Sequence, residues 1–315
     1  MSCAKLSIHL IAAARPNFMK IAPVYHALQE KEWAEAVIVH TGQHYDLNMS
    51  EAFFQDLGLP EPHIHLNVGS GTHAEQTGKV MMAYEKVLLE KRPDLVVVVG
   101  DVNSTIAATL AAVKLGIKVA HLEAGLRSFD RTMPEEINRI VTDALADLLW
   151  TPSPDGDENL LREGIAQHKI QFVGNIMIDS LEMLRSRIER EEACVQYGLV
   201  PGEYGLITLH RPANVDDQNL LREICLILRR TAERIPLIFP VHPRTRKRMA
   251  AFGLSDDLES APMLHLTEPI SYIPFMNLVF NCRFVMTDSG GIQEETTYLG
   301  IPCLTLRPNT ERPIT

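Results

Sequence analysis

Short apolar runs alternate with amphipathic segments along almost the whole chain. In the first half the runs at 6–14 (LSIHLIAAA), 36–40 (AVIVH), 95–100 (LVVVVG), 118–123 (KVAHLE) and 170–174 (IQFVG) read as strands. In the second half 204–210 (YGLITLH), 237–242 (LIFPVH), 284–288 (FVMTD) and 302–306 (PCLTL) do the same. Near-continuous apolar strands with helices between them suit a parallel sheet covered on both faces, because neither side of such a strand meets water. The pattern predicts an α/β protein of doubly wound type.

Helix starts and breaks divide this series. Thr72-His-Ala-Glu75 matches a capping box, and beyond it Val80, Tyr84, Val87 and Leu88 recur at helical spacing. Asn103 or Ser104 is placed to cap the helix after LVVVVGD. A charged helix over roughly 177–190 follows Gly174-Asn175, and a new strand series begins after Val200-Pro201-Gly202. The expected division is therefore 1–174 and 175–315, two Rossmann-like lobes. Such lobes would face a cleft at the C-terminal ends of their strands, where open α/β sheets bind ligands. No repeat of solenoid length is visible.

Composition narrows the class. With 315 residues, 46% hydrophobic and 22% charged, the chain is long enough for two cores and globular in character. A formal charge of −10 lacks the basic footprint of a nucleic-acid binder. The five cysteines, Cys3, Cys194, Cys225, Cys282 and Cys303, are scattered, which favours neither a disulfide framework nor a zinc site and fits a reducing cytoplasm. The apolar N-terminal run flows directly into a strand pattern, unlike a secretory signal. No uncharged stretch approaches the ~20 residues of a membrane helix.

The candidate chemistry clusters at expected strand ends. ARPNFMK (14–20) puts Arg15, Pro16 and Lys20 at a helix start, which reads as a diphosphate clamp or as a solvated helix end. Asp101, directly after the most apolar strand, suits proton transfer or a turn cap. Glu123 ends the next strand as a second acid, with an ion pair to Arg127 as the structural alternative. For Glu135 the capping box Thr132-x-x-Glu135, with Pro134 in the first turn, is the preferred reading from the residues alone. His210, followed by Arg211, can shuttle a proton or hold a phosphate, or be a satisfied core histidine; His242 and Arg244 repeat the arrangement. In TDSGGIQEE (287–295), Ser289, Gly290 and Gly291 let amides approach a phosphate, while Glu295 lies a turn and a half further and suits a ribose diol. A nucleoside diphosphate meets both demands.

With these residues in view, the chain resembles the non-hydrolysing UDP-N-acetylglucosamine 2-epimerases, whose two-domain fold is of the GT-B type. ARPNFMKIAP, TGQHYD, GDVNST, HLEAGLRS, MPEEINR, FVGN, TLHRPAN, PVHP, TDSGGIQEE and ERP occur in the family's order, from about residue 10 to the end. The resemblance implies inversion at C2 of a UDP-2-acetamido sugar by elimination and re-addition of UDP through a glycal, with no cofactor or metal, in a cytoplasmic homodimer supplying surface polysaccharide. It implies Asp101, Glu123 and Glu135 as acid–base carboxylates, against the capping preference for Glu135, and His210 as an aid to elimination. Arg15, Lys20, His242 and Arg312 would contact phosphate or sugar, Ser289, Gly290 and Gly291 the diphosphate, and Glu295 the ribose.

Three departures accompany the likeness. Gln43-His44-Tyr45 stands where members activated by a second UDP-sugar carry Gln-His-Arg, and 69–76 differs as well, which speaks against allosteric control. TLHRPANVD replaces the HRRE form around His210. Family members also continue beyond ERPIT, so the C-terminal lobe is expected to be incomplete. Alternatives are an epimerase for UDP-2,3-diacetamido-glucuronate, a hydrolysing epimerase, a glycosyltransferase and a non-catalytic UDP-sugar binder.

Overall fold

The computed structural model describes residues 5–42 and 54–307. The chain forms two compact units, Met1–Ser180 and Leu181–Thr315. The first holds β1 (Leu6–Ala12), α1 (Arg15–Gln29), β2 (Ala34–His40), β3 (Ile64–His65), α2 (His73–Glu90), β4 (Leu95–Val99) and α3 (Asn103–Lys114). It continues with β5 (Lys118–Leu122), α4 (Pro134–Leu145), β6 (Leu148–Thr151), α5 (Pro154–Arg162), β7 (Ile170–Phe172) and α6 (Ile176–Arg190), the helix in which the division falls. Its seven strands run β3-β2-β1-β4-β5-β6-β7, all parallel. Val96 and Val98 of β4 join the core with Tyr84 and Leu88 of α2 and Ala108 and Ala112 of α3. Val97 and Val99 alternate with them and are equally buried, so the strand is covered on both sides.

The second unit holds α7 (Ala193–Gln196), β8 (Gly205–Thr208), α8 (Pro212–Val215), α9 (Gln218–Ala232), β9 (Leu237–Pro240), α10 (Pro243–Ala251) and α11 (Ser255–Glu259). After these come β10 (Leu264–Thr267), α12 (Tyr272–Asn281), β11 (Phe284–Thr287), α13 (Gly290–Leu299) and β12 (Cys303–Thr305). The five strands are parallel in the order β10-β9-β8-β11-β12. Along α9, Leu221, Ile224, Cys225, Leu228 and Ala232 recur at helical spacing and pack on Ile207, Leu237 and Phe239 of the sheet. Asp217 caps that helix by accepting the amides of Asn219 and Leu220.

Several sequence expectations are corrected at element ends. Apart from β2, the strands stop one or two residues earlier than the apolar runs, so Ala13, Gly100, Glu123, His210, His242 and Asp288 lie just beyond the ladders. The reason is visible at Gly100 and Glu123, where φ turns positive and the backbone leaves extended geometry. Strands β3, β6 and β10 were not marked by the pattern, since none of them carries a long apolar run. The Thr72 capping box is present: Thr72 N donates to Glu75 Oε2 (2.9 Å) and Glu75 N to Thr72 Oγ1 (3.3 Å). Neither Asn103 nor Ser104 caps α3, whose N-cap is Val102. Asn103 instead donates to Gln76 of α2 (2.8 Å), and Ser104 bonds Thr41 (2.9 Å). The Thr132–Glu135 box is likewise not formed. Met133 is the N-cap of α4, Thr132 bonds Asp130, and Glu136 rather than Glu135 takes the amides of Ser128 and Phe129 (2.9 and 3.0 Å).

Candidate functional site

The order of each sheet reverses beside its first strand, between β1 and β4 in one unit and between β8 and β11 in the other. Loops leaving strands at such a point splay apart and leave room for a ligand. Arg15, Asp101, His210 and Ser289 to Gly291 stand directly after these four strands, while Glu123 and His242 follow the neighbouring strands β5 and β9.

In the first unit, Asn17 closes the β1–α1 turn: its Oδ1 accepts the Ala14 amide (3.0 Å) and its Nδ2 donates to Val99 O at the end of β4 (3.3 Å). That brings α1 beside Gly100 and directs Lys20 onto Glu123, with which it forms a buried ion pair. A Cβ at Gly100 would lie 3.3 Å from Lys20 Nζ and 3.4 Å from Glu123 Oε2, so glycine gives this pair its room. Asp101 follows. Its Oδ2 meets Arg139 Nη1 at 2.7 Å, and its carbonyl accepts from Asn138 at 2.8 Å. Burial pushes the Asp101 carboxyl up, Lys20 and Arg139 draw it down, and the charges of Glu123 and Glu135 add to the rise, which prevails. A third of its side chain stays accessible, so the acid is enclosed by protein yet reachable.

Glu123 has φ +71°, a strained conformation for a residue with a side chain. The surroundings impose it. Ala124 N donates to Trp150 O, and the next residue, Gly125, is at φ +81° against Gly156, whose carbonyl oxygen would lie 2.4 Å from a Cβ. The expected Glu123–Arg127 alternative is not formed: Arg127 pairs with Asp143 (2.8 Å) and Glu163 (2.7 Å). Arg15 sits exposed at the first position of α1. Glu135, in the first turn of α4, is half-buried and close enough for its charge to act on Asp101.

In the second unit Asp288, fully buried just after β11, organises the loop after β8. It accepts the amides of His210 (3.0 Å) and Arg211 (2.8 Å) and the Asn214 side chain (3.1 Å), and faces His210 Nδ1 at 3.0 Å. Burial opposes its ionisation, but the hydrogen bonds from His210, Arg211 and Asn214 outweigh it and hold the carboxyl below the usual range. His210 remains 39% exposed. The His242 ring lies 5.8 Å from it and accepts the Arg244 amide at the start of α10; burial, with the charges of His210 and Arg244, lowers its pKa.

Ser289 is the N-cap of α13 and makes no side-chain cap, which leaves Gly290 and Gly291 in an open first turn. Glu295 lies deeper in that helix, buried, with the Tyr272 hydroxyl donating to Oε1 at 2.8 Å; burial pushes its carboxyl up to about 7. Arg312 and the segment Gln43-His44-Tyr45 lie outside the described residues. Among the described residues no three His, Cys, Asp or Glu side chains are grouped to hold a metal ion. None of the helices there is long and apolar enough to cross a membrane.

Comparison with known proteins bears on this set. The family model described as UDP-N-acetylglucosamine 2-epimerase matches residues 26–315. The chain belongs to the UDP-N-acetylglucosamine 2-epimerase family. It is 46% identical over 315 residues to the enzyme of that name from Methanocaldococcus jannaschii, covering 98% of this chain and 86% of the relative. The crystal structure of the Methanocaldococcus jannaschii enzyme in complex with UDP-GlcNAc and UDP superposes with a TM-score of 0.87 at 45% identity, with 98% and 86% covered. A UDP-2,3-diacetamido-2,3-dideoxy-D-glucuronate 2-epimerase from Pseudomonas aeruginosa is 41% identical, with 97% of this chain and 84% of the relative covered.

For a member of this epimerase family, the structure gathers Lys20, Asp101, Glu123 and Glu135 at one strand-end cluster. It gathers His210 and His242 at another. Sequence reasoning assigned nothing to Asn17, Asn138, Arg139, Asn214 or Asp288. Arg139 had a detectable signal, standing at i+4 from Glu135 on the same helix. Asp288 lay inside a motif read for Ser289, its two glycines and Glu295.

Proposed function

We propose that the protein inverts C2 of UDP-N-acetylglucosamine to give UDP-N-acetylmannosamine, supplying surface polysaccharide synthesis as a cytoplasmic homodimer. The observation that carries the mechanism is the acid cluster of the first unit, where Asp101 has a raised proton affinity beside a Glu123 held by Lys20. One carboxylate takes the C2 proton; the C2–H electron pair becomes the C1=C2 bond, and the C1–O pair leaves with the β-phosphate oxygen of UDP. A proton then returns to the opposite face of C2 while UDP oxygen re-forms the bond to C1. Two or three acids in unlike environments suit proton exchange on both faces. The scheme needs no cofactor.

Departure of UDP calls for stabilisation of the charge gathering on the diphosphate. The amides of Gly290 and Gly291 in the first turn of α13 would supply it with the Ser289 hydroxyl, and His210 as donor, held in orientation by Asp288; the Ser289 amide itself is taken by Thr287 Oγ1 at 2.9 Å. Glu295 would accept from the ribose hydroxyls, and Arg15, Lys20, His242 and Arg312 would contact phosphate or sugar. The division into residues 1–174 for acid–base work and 175–315 for UDP belongs to the same reading. The test is proton NMR of UDP-N-acetylglucosamine incubated with enzyme in heavy water. Deuterium should enter C2 with the native protein, and Asp101→Asn should slow entry by about 10²- to 10⁴-fold. Exchange at the native rate in that variant would remove Asp101 from the mechanism.

A second reading takes UDP-2,3-diacetamido-2,3-dideoxy-D-glucuronate as substrate, which the 41% identity to the Pseudomonas aeruginosa enzyme supports. Side-by-side turnover of the two sugars decides between them.

A further inference from the structure

One buried cluster of ionisable groups has no part in the mechanism above. His121 sits on β5, paired in the sheet with Val98 on one side and Leu149 on the other, and is fully buried. Its Nδ1 faces Asp143 Oδ1 of α4 at 2.6 Å, and its Nε2 faces the Gly100 carbonyl at 2.8 Å. A carbonyl only accepts, so Nε2 carries a hydrogen and donates it there. The other oxygen of Asp143 accepts the Gly125 amide at 3.1 Å and pairs with Arg127 at 2.8 Å. Burial resists the Asp143 charge, but His121 and Arg127 outweigh it and keep the carboxyl below the usual range. A buried dyad that only filled space would cost stability against an apolar pair of the same volume, so its retention calls for a reason.

The chain positions of its contacts provide one. Gly100 immediately precedes Asp101, and Gly125 follows Glu123 by two residues. Both stretches are in left-handed backbone, with φ of 65°, 71° and 81° at Gly100, Glu123 and Gly125; the glycines take it readily, but Glu123 between them is strained and needs its surroundings to hold it. We infer that His121 is a positioning residue for the proposed acid pair: with Asp143 it clamps the turn carrying Asp101 to the turn carrying Glu123. The inference rests on the proposed role of those acids, and it assigns His121 no contact with substrate.

The test uses the two amides that mimic one ring nitrogen each. Asn at 121 places its NH₂ near the site of Nδ1 and keeps the Asp143 contact; Gln places it near Nε2 and keeps the Gly100 contact. If His121 acts through Gly100, His121→Asn lowers kcat by about 10- to 100-fold with KM within about threefold, whereas His121→Gln stays within about fivefold of native kcat. Equal losses, Asn as the better enzyme, or a loss carried by KM would overturn the inference. Histidine ¹⁵N NMR of the native protein adds a measurement independent of the variants' folding. A slowly exchanging hydrogen on His121 Nε2 is expected, and a bare Nε2 would overturn the inference outright. Asp101→Asn assayed in parallel separates the two readings. An inactive Asp101→Asn with native kcat in His121→Asn sinks this inference alone, whereas an active Asp101→Asn sinks the reading beneath it.

Discussion

At the scale of single residues, Glu295 ties stability to pH. Its carboxyl is pushed by burial from an ordinary 4.5 to about 7. Between those values the folded protein holds a proton that the unfolded chain has released, so stability falls as pH rises through this window. Its contribution is full below 4.5 and lost above about 7. Glu295→Gln removes the titration, so the variant is expected to gain up to ~3 kcal/mol over the native protein at pH 8 and close to none near pH 4. Thermal melting of both proteins at the two pH values checks the sign. Gly125 is the opposite case, a residue fixed by space. Gly125→Ala would put a Cβ 2.4 Å from the Gly156 oxygen with φ at +81°, against backbone that cannot turn aside. A loss of roughly 3 kcal/mol or more is expected, read as a lowered denaturant midpoint or absence of soluble protein.

At the scale of elements, local sequence and tertiary contacts contribute unequally. The start of α2 was legible because both halves of its capping box are three residues apart and need nothing else. Thr72→Ala should therefore cost about 1 kcal/mol, measured by denaturant unfolding, and leave turnover unchanged. The starts of α3 and α4 were misread because their capping candidates bond other partners, a tertiary one at α3 and a local one at α4. Asn103 donates to Gln76 of a neighbouring helix, and Thr132 donates to Asp130 two residues before it, so residues with good capping chemistry are occupied elsewhere. Strands were read well where both faces are buried, as in β4, and missed where polar residues interrupt the apolar pattern, as at His65 in β3 and His265 in β10.

At the scale of the whole molecule, the acid cluster and the proposed diphosphate groups stand in separate compact units, each with its own parallel sheet and core. UDP lacks the sugar ring on which the acids are proposed to act. Asp101→Asn is expected to leave the affinity for UDP within about twofold, while Gly291→Pro, which removes one of the proposed diphosphate amides in a first turn where an added Cβ meets nothing within 4 Å, weakens it at least tenfold by calorimetry, close to the loss of one charge-assisted hydrogen bond. Weakened UDP binding in Asp101→Asn would show that this division of roles is wrong. The order of apolar runs by itself determined the fold class, since a strand buried on both sides has few other settings. It also placed Asp101, Glu123 and His210 at or directly after strand ends, because a polar residue closing an apolar run marks where the sheet stops. Only the tertiary structure decided which charges meet. Lys20 and Glu123 are 103 residues apart, and Asp101 and Arg139 are 38 apart. His210 depends on Asp288, 78 residues away, for its orientation. Pairings at such separations are set by strand order and helix placement, and no local rule of spacing or propensity carries that information.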